Sequence, residues 1–414
     1  MPMIQLLHHR LRRAALAGCG TVLVAGGCSR QAELVPPAEA SLRIAAPGMA
    51  EEQPPSVREA ERWGNDFVTA LAADDIATAN EQIDWDAIFD AATCDLGMPE
   101  PIRGRFIAWG KRTAAESGLV RQLARAEQGG GDVSLVRCRT DGDECHALLR
   151  VVQESGLNYY DARLVRRDGD VRAADIDVYL AGEPVSATLR RYFLTSAAEQ
   201  SPAALRSSSG LDGDLVRHAD DVKALLDAAD ARDHARVLDV ARALPPSLRR
   251  SRAILMVRII AAAQGDPEEH ARAINELRDA FPDAPCLDLV AIDFHSLRRE
   301  HDACLAAIDR LDERIGGDPY LAVLRAAACL GAHDHAGAIG SIEAAIGAMP
   351  DLVQPYWIRV AISLDQKKYD DTVAWLDRIS ERFDMPIPDL EGVAEYADFV
   401  KSPEYRAWMA RRGN

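Results

Sequence analysis

The chain has 414 residues, 27% of them charged, 48% hydrophobic and 6% aromatic, and its 48 Lys and Arg against 65 Asp and Glu leave a net charge of −17. That length suits two or three domains, and the hydrophobic share is enough for ordinary cores. The acidic balance argues against nucleic acid, whose binding needs clustered Lys and Arg to displace counterions from phosphate. It equally disfavours a broad electrostatic contact with anionic lipid.

Arg10, Arg12 and Arg13 precede an apolar run from Ala14 to Ala25. A positive flank with about twelve apolar residues reads as the n-region and h-region of an export signal, too short to span a bilayer. The run closes on AGGC at 25–28, which resembles the lipobox of bacterial lipoproteins. The resemblance implies a signal peptide over 1–27 and diacylglycerol on the thiol of Cys28. LAGC at 16–19 is a competing lipobox that matches the pattern better. It leaves only Ala14, Ala15 and Leu16 after Arg13, so Cys28 is preferred over Cys19. An ordinary secretory peptide is the other alternative. By the same resemblance, Ser29 rather than Asp after the lipidated cysteine points to the outer membrane of a Gram-negative cell. Residues 28–56, rich in Ala, Pro and Glu without periodicity, read as a flexible tether.

An α+β unit is expected over 57–196. Trp63, Phe67, Ala70 and Leu71 fall at i, i+4, i+7 and i+8, the stripe of an amphipathic helix. A second helix is expected in IRGRFIAWGKRTAAESGLVRQLARAE. Two β-rich runs then flank Asp141-Gly142, and two more flank Asp168-Gly169. Asp-Gly between such runs signals hairpins, because both central residues of a type I′ turn need positive φ. A closing helix is expected in SATLRRYFL. Helices packed on an antiparallel sheet in this order resemble the nuclear-transport-factor-2-like, or cystatin-like cone, fold. That fold hosts isomerases, dehydratases, transport factors and binding modules alike, so it implies no single activity.

In the first hairpin, a two-residue turn at Asp141-Gly142 would set Cys138 opposite Cys145, within disulfide range. In the second, a turn at Asp168-Gly169 would set Tyr160 opposite Asp177 and place Tyr160, Asp175, Asp177 and Tyr179 on one polar face. Two carboxylates beside tyrosines could run acid–base chemistry of the ketosteroid-isomerase kind. The simpler reading, and the preferred one, is the solvated face of an antiparallel sheet, with His146 an outward strand residue.

After a Ser/Gly/Pro-bearing linker over 197–217, helical periodicity runs from 218 to 384. HARVL at 234, HARAI at 270, HDACL at 301, HAGAI at 335 and YDDTV at 369 share a frame, at intervals of 36, 31, 34 and 34. These five units resemble tetratricopeptide repeats, 34-residue helix–turn–helix modules; HAGAIGSIEAAIGAMP fits best, with Ala338, Ala345 and Pro350 in the family's places. The resemblance implies a superhelix with a concave groove lined by each first helix. Arg252, Arg258, Arg298 and Arg359 are candidates there to grip a carboxylate or an acidic segment, unless neighbouring Asp and Glu consume them. The repeat histidines read as packing residues, with no metal shared across repeats and His333 and His335 too close in sequence to share a helix face. Residues 385–414 read as capping helices.

No phosphate-cradling glycine loop, nucleophile elbow, HExxH or clustered metal ligands appear. The expected function is a membrane-anchored, periplasm-facing lipoprotein that scaffolds protein or peptide contacts through its repeats, with a ligand-binding or regulatory cone. It would have no cofactor, no catalytic residues, no nucleic-acid partner, and membrane contact through the lipid anchor only. The alternative is an isomerase- or hydrolase-like cone enzyme carried on the scaffold.

Overall fold

A computed structural model describes residues 53–153, 156–200 and 210–412. The export signal, Cys19, Cys28 and the tether up to residue 52 lie outside them. The chain divides into two compact units, a first one through residue 253, which also holds both sheet hairpins, and a second one from 254 on. Among the described residues, no helix is long and apolar enough to cross a membrane.

In the first unit, α1 (Val57–Ala72) opens on a capping box in which Ser56 N donates to Glu59 Oε2 at 2.9 Å while Ser56 Oγ accepts from Glu59 N. Two orphan donors at the helix start are thereby satisfied. Trp63, Phe67, Ala70 and Leu71 are all buried, as their spacing requires. The chain turns through Asp74, at φ 54°, into α2 (Ile76–Glu81). A further helix, α3 (Trp85–Thr93), capped by Asp84, was not anticipated. The single helix expected next is two, α4 (Glu100–Ser117) and α5 (Leu119–Gln128). The break is at Gly118, where an added Cβ would lie 2.6 Å from the Ala114 carbonyl oxygen.

Five strands follow: β1 (Asp132–Asp141), β2 (Glu144–Gln153), β3 (Gly156–Arg167), β4 (Asp170–Val178) and the short β5 (Glu183–Pro184), in spatial order β1-β2-β3-β4-β5. One face of the sheet packs Val133, Ala147, Leu149, Ala162, Leu164 and Ile176 against Phe67, Leu71, Val120 and Leu123 of the helices. This is the expected α+β layering. The first turn differs from expectation: Asp141 pairs with Glu144, so the loop is Gly142-Asp143, one residue later, and each pairing from there to Arg137 shifts by two residues. Gly142 has φ 59° while Asp143 keeps negative φ, the pattern of a turn with glycine at its first central position. Cys138 therefore faces Ala147, Cys145 faces Thr140, and both thiols are free. The expected disulfide is not formed.

The second hairpin turns at Asp168-Gly169 as expected, with φ 54° and 87°. A bulge at Ala174 then shifts the pairing, so Asp161 faces Asp177 and Arg163 faces Asp175. The helix α6 (Val185–Gln200) and α7 (Gly210–Arg217) occupy both ends of the stretch expected as a linker. The unit continues with α8 (Ala219–Asp230), α9 (His234–Ala243) and α10 (Pro246–Arg249).

Helix α11 (Arg252–Ala262) runs across the unit boundary. Beyond it come α12 (Pro267–Ala280), α13 (Cys286–Arg298), α14 (His301–Ile315), α15 (Leu321–Gly331), α16 (His335–Ala348), α17 (Gln354–Asp365) and α18 (Tyr369–Phe383). These make four helix pairs, a helical-repeat arrangement, and α8 and α9 of the first unit make a further pair with the same sequence spacing. The residues capping each second helix, Asp233, Asp266, Glu300, Asp334 and Lys368, fall at intervals of 33, 34, 34 and 34. The frame is tighter than the sequence suggests because Pro267, not His270, starts α12. Proline suits a first helical position, where its missing N–H is not needed. His270 drops one turn inward, to the buried place that Val237, Cys304, Ala338 and Thr372 hold in the other pairs. Past α18, helix returns only in α19 (Pro403–Arg412), preceded by two short 3₁₀ turns, so most of the expected cap is non-helical.

Candidate functional site

Alternation along β3 and β4 sends Ala162, Leu164, Ile176 and Val178 to the helix-covered face. Asp161 and Asp177 take the opposite face and stand directly across from one another. Tyr160 does not join them; it is 4% exposed and packs with the core residues, because the bulge, not the turn, sets the register here.

The opposite face is not solvated as expected. The Asp161 side chain is 11% exposed, and Arg139 from β1 and His146 from β2 both close on it. Arg139 donates Nη2 to Asp161 Oδ2 at 2.6 Å and Nη1 to Oδ1 at 3.3 Å, while His146 Nδ1 lies 3.2 Å from Oδ1. Burial works to raise the Asp161 carboxyl, but the bonds and charges of His146 and Arg139 outweigh it and hold the group below the ordinary carboxylate range. The same hydrogen bond, against burial and Arg139's repulsion, raises the His146 imidazole above its usual value.

Asp177 is treated oppositely. It makes no hydrogen bond among the described residues. Burial raises its pKa, the charge of Arg252 pulls it partly back, and Asp161, Asp175 and Glu183 push it up further. Two carboxyls on facing strands are thus pushed in opposite directions from the ordinary carboxylate range.

Asp175 has a structural task. It accepts the backbone N–H of Ser186 at 3.2 Å and bonds the Ser186 hydroxyl, capping the start of α6. Tyr179 is buried with its ring centroid 5.7 Å from that of Tyr159, and its hydroxyl is within electrostatic reach of Arg139. Asn158 Oδ1 accepts from Tyr159 N and Leu180 N, fixing the end of β4 beside β3. Sequence reasoning missed Arg139 and Asp161; a two-residue pairing shift in the first hairpin and a one-residue shift in the second hid them.

The four groove arginines separate. Arg252 belongs to the neighbourhood of Asp177 in the first unit. Arg258 is 4% exposed and already spent on Glu269, at 2.6 and 3.0 Å, and on Glu276 at 2.8 Å. Arg298 bonds Glu300 at 2.7 Å and lies over Phe294. Arg359 makes no ion pair among the described residues; its guanidinium stacks 5.0 Å from the Trp375 ring centroid, with Arg378 at 5.1 Å from the same ring. The repeat histidines also separate, since His333, His335 and Asp365 bring three donor atoms together across two consecutive pairs.

No protein-family model, no curated protein and no solved structure matches the chain.

Proposed function

We propose that the chain is an exported, lipid-anchored envelope protein whose helix pairs form a tetratricopeptide-like scaffold for a protein or peptide segment. The observation that carries this reading is the spacing of the second-helix caps at 33, 34, 34 and 34 residues, with equivalent buried positions in every pair. Single pairs of this kind cannot bury their own faces, and stacking them leaves the first helices to line a groove. Arg359 on α17 is the groove arginine best suited to a carboxylate, being stacked on Trp375 and unclaimed by Asp or Glu. Arginine on an aromatic face presents its donors already oriented. The test is Arg359→Glu in the full chain, crosslinked in native envelopes, with melting checked. A drop of at least about tenfold in the partner recovered by the wild type is expected, as loss of a charge-assisted bidentate contact warrants. Unchanged recovery with an intact fold removes the groove from the reading.

A second reading is favoured by the facing pair Asp161 and Asp177 beside Arg139 and His146, with the two carboxyls shifted in opposite directions: the cone-type unit binds a small ligand through that face, with Asp177 offered as proton donor. Carbon-detected NMR of the Asp carboxyls tests it. A titration of Asp177 in the ordinary carboxylate range would end it.

A further inference from the structure

We propose that His333, His335 and Asp365 form a binding site for a divalent transition-metal ion of the zinc class. His335 Nε2 lies 2.6 Å and His333 Nδ1 3.6 Å from the same oxygen, Asp365 Oδ2, and all three donor atoms lie within 4.8 Å of one another. Ligands about 2.0–2.2 Å from a tetrahedral ion stand roughly 3.2–3.6 Å apart. The cluster therefore needs only small side-chain rotations: His335 and Asp365 open by about 0.7 Å around the ion. The His333, His335 and Asp365 side chains are 62%, 29% and 33% exposed, so an ion has a path in.

The local backbone explains why two histidines only two apart can converge. His333 is not on a helix. It sits at φ 60° in the turn before α16, and Asp334 then caps the helix that His335 begins. The rule that residues two apart point away from each other holds inside helices and does not apply at this junction. The ring centroids stand 6.5 Å apart. Asp365 comes from the end of α17, in the next pair, so the site joins two consecutive pairs. Proximity of packed helix faces is not required, because all three ligands lie at helix ends.

The preceding junction serves as an internal comparison. His301 begins α14 as His335 begins α16, and the residue thirty positions on is Gly331, where Asp365 stands in the next pair. A Cβ on Gly331 would lie 2.6 Å from His301 Cε1, so the first histidine of each helix rests on the same helix end. There the left-handed position is Arg299, and glycine stands where Asp365 does. Packing at these junctions thus works with arginine and glycine. The His, His and Asp combination is not needed for it.

Imidazole and carboxylate donors suit Zn²⁺, Cu²⁺ and Ni²⁺, whereas Mg²⁺ and Ca²⁺ prefer oxygen alone. Three protein ligands leave a fourth position for water or an exchangeable group. Both imidazoles must be neutral to coordinate, so protons compete with the metal for them and acid weakens binding.

The experiment uses the full chain, stripped with chelator and titrated calorimetrically with ZnCl₂ or MgCl₂ at pH 7.5 and pH 5.5. One equivalent of Zn²⁺ should bind at pH 7.5, at least tenfold more weakly at pH 5.5, with no comparable Mg²⁺ binding. His335→Ala and Asp365→Ala should each weaken Zn²⁺ at least tenfold and His301→Ala should leave it unchanged, all with unaltered helicity. Co²⁺ in place of Zn²⁺ should give the intense visible bands of a four-coordinate ion. Zn²⁺ binding that survives in the His333→Ala/His335→Ala/Asp365→Ala triple variant, or no stoichiometric binding by the wild type, overturns the site.

Discussion

His146 shows how a single side chain couples the polar face of the sheet to pH. Its hydrogen bond to Asp161 raises the folded imidazole's pKa above the unfolded value near 6.5. Folding therefore favours the protonated ring, and the stabilisation is complete below about pH 6.5 and lost as pH rises through the raised value. Urea unfolding of wild type and His146→Asn should differ most at about pH 5.5 and converge by about pH 8.5. A gap that widens with pH would show that Asp161 does not hold the imidazolium. The two hairpin thiols give a second expectation at this scale. Burial pushes Cys138 up to about 12 and raises Cys145 too, so neither is a thiolate at neutral pH. Both should resist iodoacetamide while folded and both should label once unfolded; a 138–145 crosslink in the mass map would restore the register read from Asp141-Gly142.

Elements were legible where the pattern was long and the cap explicit. The stripe through Trp63, Phe67, Ala70 and Leu71 and the turn at Asp168-Gly169 came directly from periodicity and from positive-φ chemistry. What escaped were single-residue events. The bulge at Ala174, the slip to Gly142-Asp143 and the shift of α12 onto Pro267 each move a pairing, a turn or a helix start by one to three residues without changing composition. Because side chains alternate along a strand, such a slip changes which residues face one another, and it left Asp161 and Arg139 unread. The arginine of α11 shows the same limit: Arg258 reads as a groove cation, yet Glu269 and Glu276 of α12 enclose it. Removing one partner of a buried pair leaves the other charge uncompensated, so Arg258→Met should cost about 3–5 kcal/mol in chemical denaturation. Arg258→Met/Glu269→Leu should recover most of that loss. If the double variant is no more stable than the single, the pair is not what anchors α11 to α12.

At the scale of the whole molecule, order of element types was readable and closure was not. Helices then hairpins then 34-residue periodicity announced an α+β unit followed by helical pairs, and the structure has both. The end of the array was read as amphipathic helix through most of 385–414, but Tyr396, Phe399, Tyr405 and Trp408 instead gather into one aromatic cluster over α18. Tyr405 and Trp408 share α19, but Tyr396 and Phe399 join them from the two 3₁₀ turns, so a single helical period does not encode the cluster. Trp408 is the centre of this closure: it is 2% exposed, its Nε1 donates to Asp377 Oδ1 at 2.6 Å, and its ring lies 5.9 Å from that of Tyr405. A stack of helix pairs exposes the apolar face of its last member unless something covers it. Trp408→Ala should then remove the cover and cost about 3–5 kcal/mol, read as a lower melting midpoint with new protease sensitivity in α17 and α18. Trp408→Phe keeps an aromatic ring in the cluster while losing the bond to Asp377 and part of the buried volume, so it should cost less than Trp408→Ala, about 1–3 kcal/mol. Equal losses in the two variants would locate the closure in the hydrogen bond, and no loss in either would mean that α18 stands without a cap.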